Sequence, residues 1–105
     1  MSNTFGTDIL IQSLDPKKAA QFYVRNLGFS ITGKQPNMLT LHGENINLFI
    51  ERGPELGPVL EVTVNSVRDA RARLVKDGCQ VLKDEPEVPR CYVQDPNGLI
   101  YNLTE

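Results

Sequence analysis

Apolar and polar residues alternate along eight short stretches of the chain, and this pattern predicts eight β-strands. Two longer stretches place apolar residues three and four positions apart, which predicts helices over residues 15–26 and 66–76. Asp15 followed by Pro16 is a helix-start signal, because Asp caps free N–H groups and Pro fits the first helical position. Gly28 and Gly78 can adopt the left-handed backbone that ends a helix.

The order of these elements repeats along the chain. Each predicted helix follows one strand and precedes three, and the two terminating glycines lie 50 residues apart (78 − 28 = 50). The sequence therefore predicts one α+β domain of two βαβββ modules, with module one at 7–51, a connector at 52–58 and module two at 59–105. A ferredoxin-like sandwich is the alternative, but it does not account for three strands after each helix.

Composition and charge exclude several classes of protein. The chain has 105 residues, of which 40% are hydrophobic and 23% charged, as in ordinary globular proteins. Its formal net charge of −2 gives no basic surface for nucleic acid, and it lacks the run of about 18 apolar residues that spans a membrane. The first residues lack the basic start and apolar centre of a signal peptide, so we expect a cytoplasmic protein. Cys79 and Cys91 are then expected to be free, buried thiols.

Three stretches carry a resemblance to a known family: LDPKKAAQFYVRNLGFSI, VNSVRDARARLVKDG and VQDPNGLIYNL. They resemble the vicinal-oxygen-chelate superfamily, which includes glyoxalase I, bleomycin resistance proteins and extradiol dioxygenases. The resemblance implies two βαβββ modules whose curled, mixed sheet encloses a concave cavity. Many members complete that cavity by pairing two copies, so we expect a homodimer. Because the superfamily contains lyases, dioxygenases and pure binding proteins, the fold alone does not assign an activity.

The resemblance also implies where a metal ion would bind. Metal-dependent relatives place four ligands, usually His and Glu, on the concave face, and the resemblance maps these positions onto Asp8, Leu48, Val59 and Asn102. Leucine and valine have no lone pair to donate, whereas a transition-metal site needs about three protein ligands. We therefore expect no metal and no other cofactor.

Strand alternation indicates which side chains face the expected cavity. The apolar walls are expected to be Leu10, Met38, Leu48, Ile50, Val59 and Ile100. The expected ligand-binding residues are Asp8, Gln12, Glu61, Arg90, Tyr92 and Asn102. Arg90 is the strongest candidate and favours an anionic ligand, because guanidinium can bind a carboxylate or phosphate through two hydrogen bonds. If Glu61 neutralises Arg90, a neutral ligand is expected instead, and Tyr92 could equally be a packing residue.

Apolar walls with a few polar groups are typical of small-molecule sites. The sequence thus favours a metal-independent small-molecule-binding protein similar to the bleomycin resistance group, with an unknown ligand and no catalytic residue assigned. The alternative is a lyase or dioxygenase of the same superfamily, either metal-dependent or using Asp8, Glu61 or His42 as a base. Alternatively, His42 is simply exposed at the end of a strand and has no catalytic role. A protein-interaction module is a further hypothesis, but no exposed apolar stripe supports it.

Overall fold

The structure is a computed structural model that describes residues 3–105. Over this range a strand, a helix and three strands follow one another, and the same order then repeats. The element bounds are β1 Asn3–Ser13, α1 Pro16–Leu27, β2 Ser30–Gln35, β3 Met38–Gly43, β4 Ile46–Arg52, β5 Leu56–Val64, α2 Val67–Lys76, β6 Gln80–Glu85, β7 Arg90–Gln94 and β8 Ile100–Thr104. This order confirms the predicted α+β fold of two βαβββ repeats.

The chain divides into two compact units with the same internal topology. The first unit is Thr7–Pro58, and the second is Val59–Glu105 together with residues 3–6. Strands lie in the order β2-β3-β4-β1 in the first unit and β5-β8-β7-β6 in the second. Strand β1 is parallel to β4, and β5 is parallel to β8, whereas the other pairs within each unit are antiparallel.

Both helices begin and end where the sequence predicts, within one residue. Asp15 caps α1, since its Oδ1 accepts a hydrogen bond from the Lys18 N–H at 3.1 Å, and Pro16 is the first helical residue. Gly28 ends α1 in the left-handed conformation, with φ of 76°. Ser66 caps α2 by accepting from the Asp69 N–H at 3.1 Å. Neither helix of residues 3–105 is long and apolar enough to cross a bilayer.

The core of the first unit lies between α1 and one face of its sheet. Its buried members come from the helix and from β3 and β4: Ala20, Leu41, Leu48 and Ile50. Ile9, Ile11, Tyr23, Phe29 and Leu39 pack around them, together with Ala19. Ile9, Ile11, Leu39 and Leu41 therefore point to the core, which is the orientation implied by the prediction that Leu10 and Met38 lie on the opposite face.

The expected position of Leu48 and Ile50 on the cavity wall is wrong. Both side chains lie beneath α1, where 7% of Leu48 and none of Ile50 is exposed. Strand β4 carries Ile46, Leu48 and Ile50 on one face and Phe49 on the other, so alternation along β4 favours the observed orientation without fixing it. Pairing with its neighbours decides it, because Leu48 lies opposite Ile9 on β1 and Leu41 on β3, which are core residues. Phe49 consequently lies on the other face of β4.

The core of the second unit is built in the same way around α2. Its buried members are Val62, Val64, Val67, Ala70, Cys79, Cys91, Val93 and Leu103. This agrees with the predicted orientations of β5, β7 and β8. Both cysteines are free and buried, as expected, and Cys79 Sγ lies 3.7 Å from the Tyr101 hydroxyl. Burial, followed by the contact with Cys79, raises the pKa of the Tyr101 hydroxyl to about 12, and burial likewise raises the pKa of the Cys91 thiol.

Candidate functional site

Each sheet has one face that carries no helix of its own unit, and we call this the open face. In the second unit the open face contains the alternate residues of β5, β7 and β8 that point away from the core. Three of them lie side by side in one row across the strands. Glu61 on β5 is opposite Asn102 on β8, and Asn102 is in turn opposite Tyr92 on β7. Neighbouring strands lie about 4.8 Å apart, so the three residues span about 10 Å across the sheet.

A tight turn sets the register of this row. Asp95, at the end of β7, accepts hydrogen bonds through Oδ1 from the N–H groups of Asn97 and Leu99, at 2.9 and 3.0 Å. Gly98 adopts a φ of 97°, which suits glycine, and its N–H donates to the Asp95 carbonyl at 3.0 Å. The turn thereby returns the chain in register, and β8 places Asn102 between Glu61 and Tyr92.

Two acceptors in this row are not satisfied by the protein. Oδ1 of Asn102 is buried and has no hydrogen-bond partner among the residues that the structure describes. A buried polar atom without a partner costs about 1–3 kcal/mol, so native proteins rarely keep one unless it serves a purpose. The neighbouring carboxylate of Glu61 is half-buried and makes no hydrogen bond or ion pair within residues 3–105. The groups in this row that lack a partner, Asn102 Oδ1 and the Glu61 carboxylate, are therefore both hydrogen-bond acceptors.

Arg90 lies one register step away from this row, and its charge is already paired. It is opposite Thr104 on β8, and on its other side it is opposite Glu85 on β6. Nη2 and Nε of Arg90 lie 2.9 and 3.1 Å from Oε1 of Glu85. Of the two alternatives left open for Arg90, neither a free guanidinium nor a pair with Glu61 is found, because the β6–β7 hairpin brings Glu85 to the guanidinium instead.

The open face of the first unit carries a different polar group. Asn47 Nδ2 donates to Asp8 Oδ1 at 3.0 Å, and Asn47 Oδ1 lies 2.8 Å from His42 Nδ1. Since the bond to Asp8 fixes which end of the amide is the oxygen, His42 Nδ1 carries a hydrogen and donates it. In neutral His42 this leaves the lone pair on Nε2, so the ring can accept a proton there.

Gln12 also lies on the open face of the first unit. Its Nε2 donates to Glu51 Oε1 at 2.8 Å, and the two residues are directly opposite each other on β1 and β4. The predicted residues Asp8 and Gln12 therefore share one face, but each is held by its own partner on β4. In the second unit the structure brings Glu61, Tyr92 and Asn102 together and places Arg90 beside them.

The residues present do not fit the metal site of the family. Residues 3–105 contain no group of three or more His, Cys, Asp or Glu side chains placed to hold a metal ion. Of the four implied positions, Leu48 and Val59 are buried hydrocarbons. The open-face carboxylate on β4 is Glu51, which pairs with Gln12, four residues along β1 from Asp8. At about 3.3 Å per residue this separation is roughly 13 Å, too far for Asp8 and Glu51 to bind one ion.

The sequence interpretation missed several residues of these faces. Asn47 and Glu51 were missed because β4 was assigned the wrong orientation. The pairing of His42 with Asn47 in the β3–β4 hairpin was the signal that could have corrected it. Glu85 was missed as the partner of Arg90. Pro86 and Pro89 lie between them and mark a hairpin turn, which places Glu85 and Arg90 opposite each other.

Comparison with known proteins now identifies the family. The profile of the glyoxalase-like domain family matches residues 8–104. The chain therefore belongs to the glyoxalase-like domain family. A comparison with curated protein sequences finds no match.

Solved structures share this fold at low sequence identity. A glyoxalase/bleomycin resistance protein/dioxygenase superfamily member from Vibrio splendidus 12B01 is 17% identical, with a TM-score of 0.65 over 95% of this chain and 97% of that one. A hypothetical protein from Bacillus halodurans C-125 is 16% identical, with a TM-score of 0.64 over 98% and 94% of the two chains. Homoprotocatechuate 2,3-dioxygenase from Brevibacterium fuscum is 22% identical, with a TM-score of 0.66, and the match covers 98% of this chain but only 36% of the dioxygenase. At these identities the likeness shows the fold alone.

Proposed function

We propose that this chain is a metal-independent small-molecule-binding protein whose binding site is the open face of the second unit. One observation carries the proposal, namely the buried Asn102 Oδ1 that lacks a hydrogen-bond partner within residues 3–105 and lies in a row with Glu61 and Tyr92. A ligand that donates to Asn102 removes the cost of that unpaired oxygen. Ile100, half-buried on the same face, supplies the apolar contact that small-molecule sites combine with a few polar groups.

The polar groups favour an uncharged ligand that carries O–H or N–H donors. Glu61 and Asn102 Oδ1 present acceptors that lack a partner within residues 3–105, so a ligand that supplies hydrogens satisfies both. Arg90 is neutralised by Glu85, and it therefore offers little attraction to an anion. Lys83 also approaches Glu85, with Nζ 3.7 Å from Oε1. The charges of Lys83 and Arg90 are thus matched by those of Glu61 and Glu85. We therefore propose an uncharged ligand in place of the anionic ligand that an unpaired Arg90 would favour.

Metal independence is supported by the donor set. The implied ligand positions supply one carboxylate, one amide and two hydrocarbons, and the strongest metal ligands need lone pairs from imidazole, thiolate or carboxylate. The two free, buried thiols also agree with the proposed cytoplasmic location, where cysteines stay reduced.

A thermal-shift panel tests the proposal with matched pairs of molecules. Catechol carries two O–H donors on an apolar ring, and 1,2-dimethoxybenzene has the same ring without donors. The anion 3,4-dihydroxyphenylacetate, the molecule bound in the dioxygenase complex, adds a negative charge. Other uncharged alcohols and amides are paired with their methylated forms in the same way. A ligand at ten times its Kd adds about 1.4 kcal/mol to the unfolding free energy, which raises Tm by roughly 6 °C.

We expect rises in Tm from donor-bearing, uncharged members and none from their methylated counterparts. Glu61→Gln should reduce the rise, whereas Glu87→Gln, at an exposed carboxylate of the same unit, should not. Zn²⁺ or Mn²⁺ added alone should give no rise. Equal rises from methylated and unmethylated members, or no rise from any donor-bearing member, would contradict the binding proposal. A rise with Zn²⁺ that Asp8→Ala abolishes would contradict metal independence.

We also propose that two copies form a homodimer. Several large apolar side chains are highly exposed in the single chain, including Phe5, Leu14 and Leu27 at 64%, 70% and 64%. Pairing would remove part of this surface from water. Sedimentation equilibrium at micromolar concentration is expected to give twice the mass of the chain. A single-chain mass at that concentration would refute the dimer.

Proton-transfer chemistry in the first unit is a second candidate function, favoured by the Asp8–Asn47–His42 chain of hydrogen bonds. The chain orients His42 with Nε2 as the acceptor, and such a base can remove a proton next to a carbonyl group. We expect deuterium from D₂O to enter the carbon-bound positions of dihydroxyacetone faster with the protein than in buffer, followed by proton NMR. His42→Gln should abolish the acceleration. A wild-type rate equal to that of buffer would eliminate this candidate.

A further inference from the structure

A cavity lies within the first unit, on the helix side of its sheet. Its volume is about 410 Å³, which falls in the range of roughly 300–1,000 Å³ of small-molecule pockets. The first turns of α1, the β2–β3 hairpin and the last residue of β4 surround it. Lys34 lies opposite the core residue Leu39, and Arg52 has the same strand parity as Ile50, so both lie away from the open face. We call this cavity the basic groove.

The charge of the basic groove differs from that of the whole chain. Lys17, Lys34 and Arg52 line it, and no Asp or Glu does, although the chain has 13 acidic and 11 basic residues. None of the three cations forms an ion pair within the described range, since the ion pairs found there all lie in the second unit. The Asp15 carboxylate, next to the groove in sequence, accepts from the Lys18 N–H instead. The lining of the groove therefore carries three cations and no carboxylate.

The floor of the groove is apolar and its arginine is fixed in place. Ala20, Ile31 and Leu39 form the floor, and 40% of Ile31 is exposed. The Arg52 N–H donates to the Asn37 carbonyl at 2.8 Å, and Arg52 Nη1 donates to the Leu14 carbonyl at 3.1 Å. Guanidinium has five N–H donors, so these contacts position the group and leave other donors for a ligand.

We infer that the basic groove binds a small organic anion that has one carboxylate and a short apolar chain. The anion would accept charge-assisted hydrogen bonds from Lys17, Lys34 and Arg52, while its chain would cover the apolar floor. This site is separate from the proposed site on the second unit, which favours uncharged donors. A negative result for one of these two sites would therefore leave the proposal for the other unaffected.

Three probes with the same eight-carbon chain test this inference: octanoate, octanol and octylammonium. Calorimetric titration of the full chain should show saturable binding of octanoate that is at least about tenfold tighter than that of octanol, with octylammonium weaker still. Raising the salt concentration should weaken the binding of octanoate and leave the binding of octanol unchanged. Equal affinities for octanoate and octanol, or no saturable binding of octanoate, would overturn the inference.

Variants locate the binding. The double substitution Lys17→Ala and Lys34→Ala should weaken the binding of octanoate by about tenfold or more, because it removes two cationic donors. Both lysines are exposed, so the fold should not depend on them. Lys18→Ala is the matched control, since Lys18 neighbours Lys17 on α1 but does not line the groove. Asn102→Leu should also leave octanoate binding unchanged. A loss with Lys18→Ala as large as with the double variant would show non-specific attraction and overturn the site.

Discussion

Replacing Ile50 with alanine is expected to lower the free energy of unfolding by about 2–5 kcal/mol, the largest effect on stability that the structure implies. Ile50 is fully buried beneath α1, beside Ala20 and Leu41. Removing three of its carbons therefore loses their transfer free energy and leaves a cavity that the surrounding residues fill only in part. Urea unfolding followed by circular dichroism measures the change.

Ile31→Ala is the matched control because it makes the same chemical change at a position that is 40% exposed. It is expected to cost about 1 kcal/mol, since little buried surface is lost. Ile50→Val, which removes a single carbon, should cost less than Ile50→Ala, at about 0.5–1.5 kcal/mol. If Ile50→Ala were no more costly than Ile31→Ala, Ile50 would face away from the core and the orientation of β4 would be wrong.

Replacing Asn102 with leucine is expected to change stability and binding in opposite directions. Leucine removes the buried Oδ1 that has no partner in the described part of the chain, so the free energy of unfolding should rise by about 1 kcal/mol. The same change removes an acceptor for the ligand. The affinity for the tightest-binding uncharged donor in the thermal-shift panel should therefore fall by about tenfold. Urea unfolding and calorimetric titration of the same preparation measure the two effects.

Asn47→Leu is the control for this substitution, because it makes the same change on β4 of the first unit. The Asn47 amide donates to Asp8 and accepts from His42, so its loss should lower the free energy of unfolding by about 1–2 kcal/mol. Binding at the second unit should not change. If Asn102→Leu destabilised the chain as much as Asn47→Leu, Asn102 would be a satisfied structural residue and the proposed site would lose its main support.

Local chemistry made much of the fold predictable from sequence. Asp15, Pro16 and Gly28 mark the bounds of α1 through capping and backbone conformation, which depend on a few neighbouring residues. Val62, Val64, Cys91 and Val93 alternate with polar residues, so the core face of β5 and β7 could be assigned without knowing their partners. The same alternation placed Glu61, Tyr92 and Asn102 on one face.

Features that depend on pairing between strands were harder to predict. Strand β4 reads INLFIE, with Ile46, Leu48 and Ile50 on one face and Phe49 on the other, so its own pattern favours the observed face without fixing it. Its orientation follows from its register with β1 and β3, which the sequence of β4 does not contain. The pairing of Arg90 with Glu85 depends in the same way on the β6–β7 hairpin.

The most direct test of the proposed site follows Asn102 itself by NMR. The ¹⁵N-labelled protein is titrated with the tightest-binding uncharged donor from the panel, and the Asn102 side-chain amide is monitored with the backbone amides of Glu61 and Tyr92. The proposal predicts that all three signals shift together and saturate with one Kd. Saturable shifts confined to other residues, with these three signals unchanged, would contradict it.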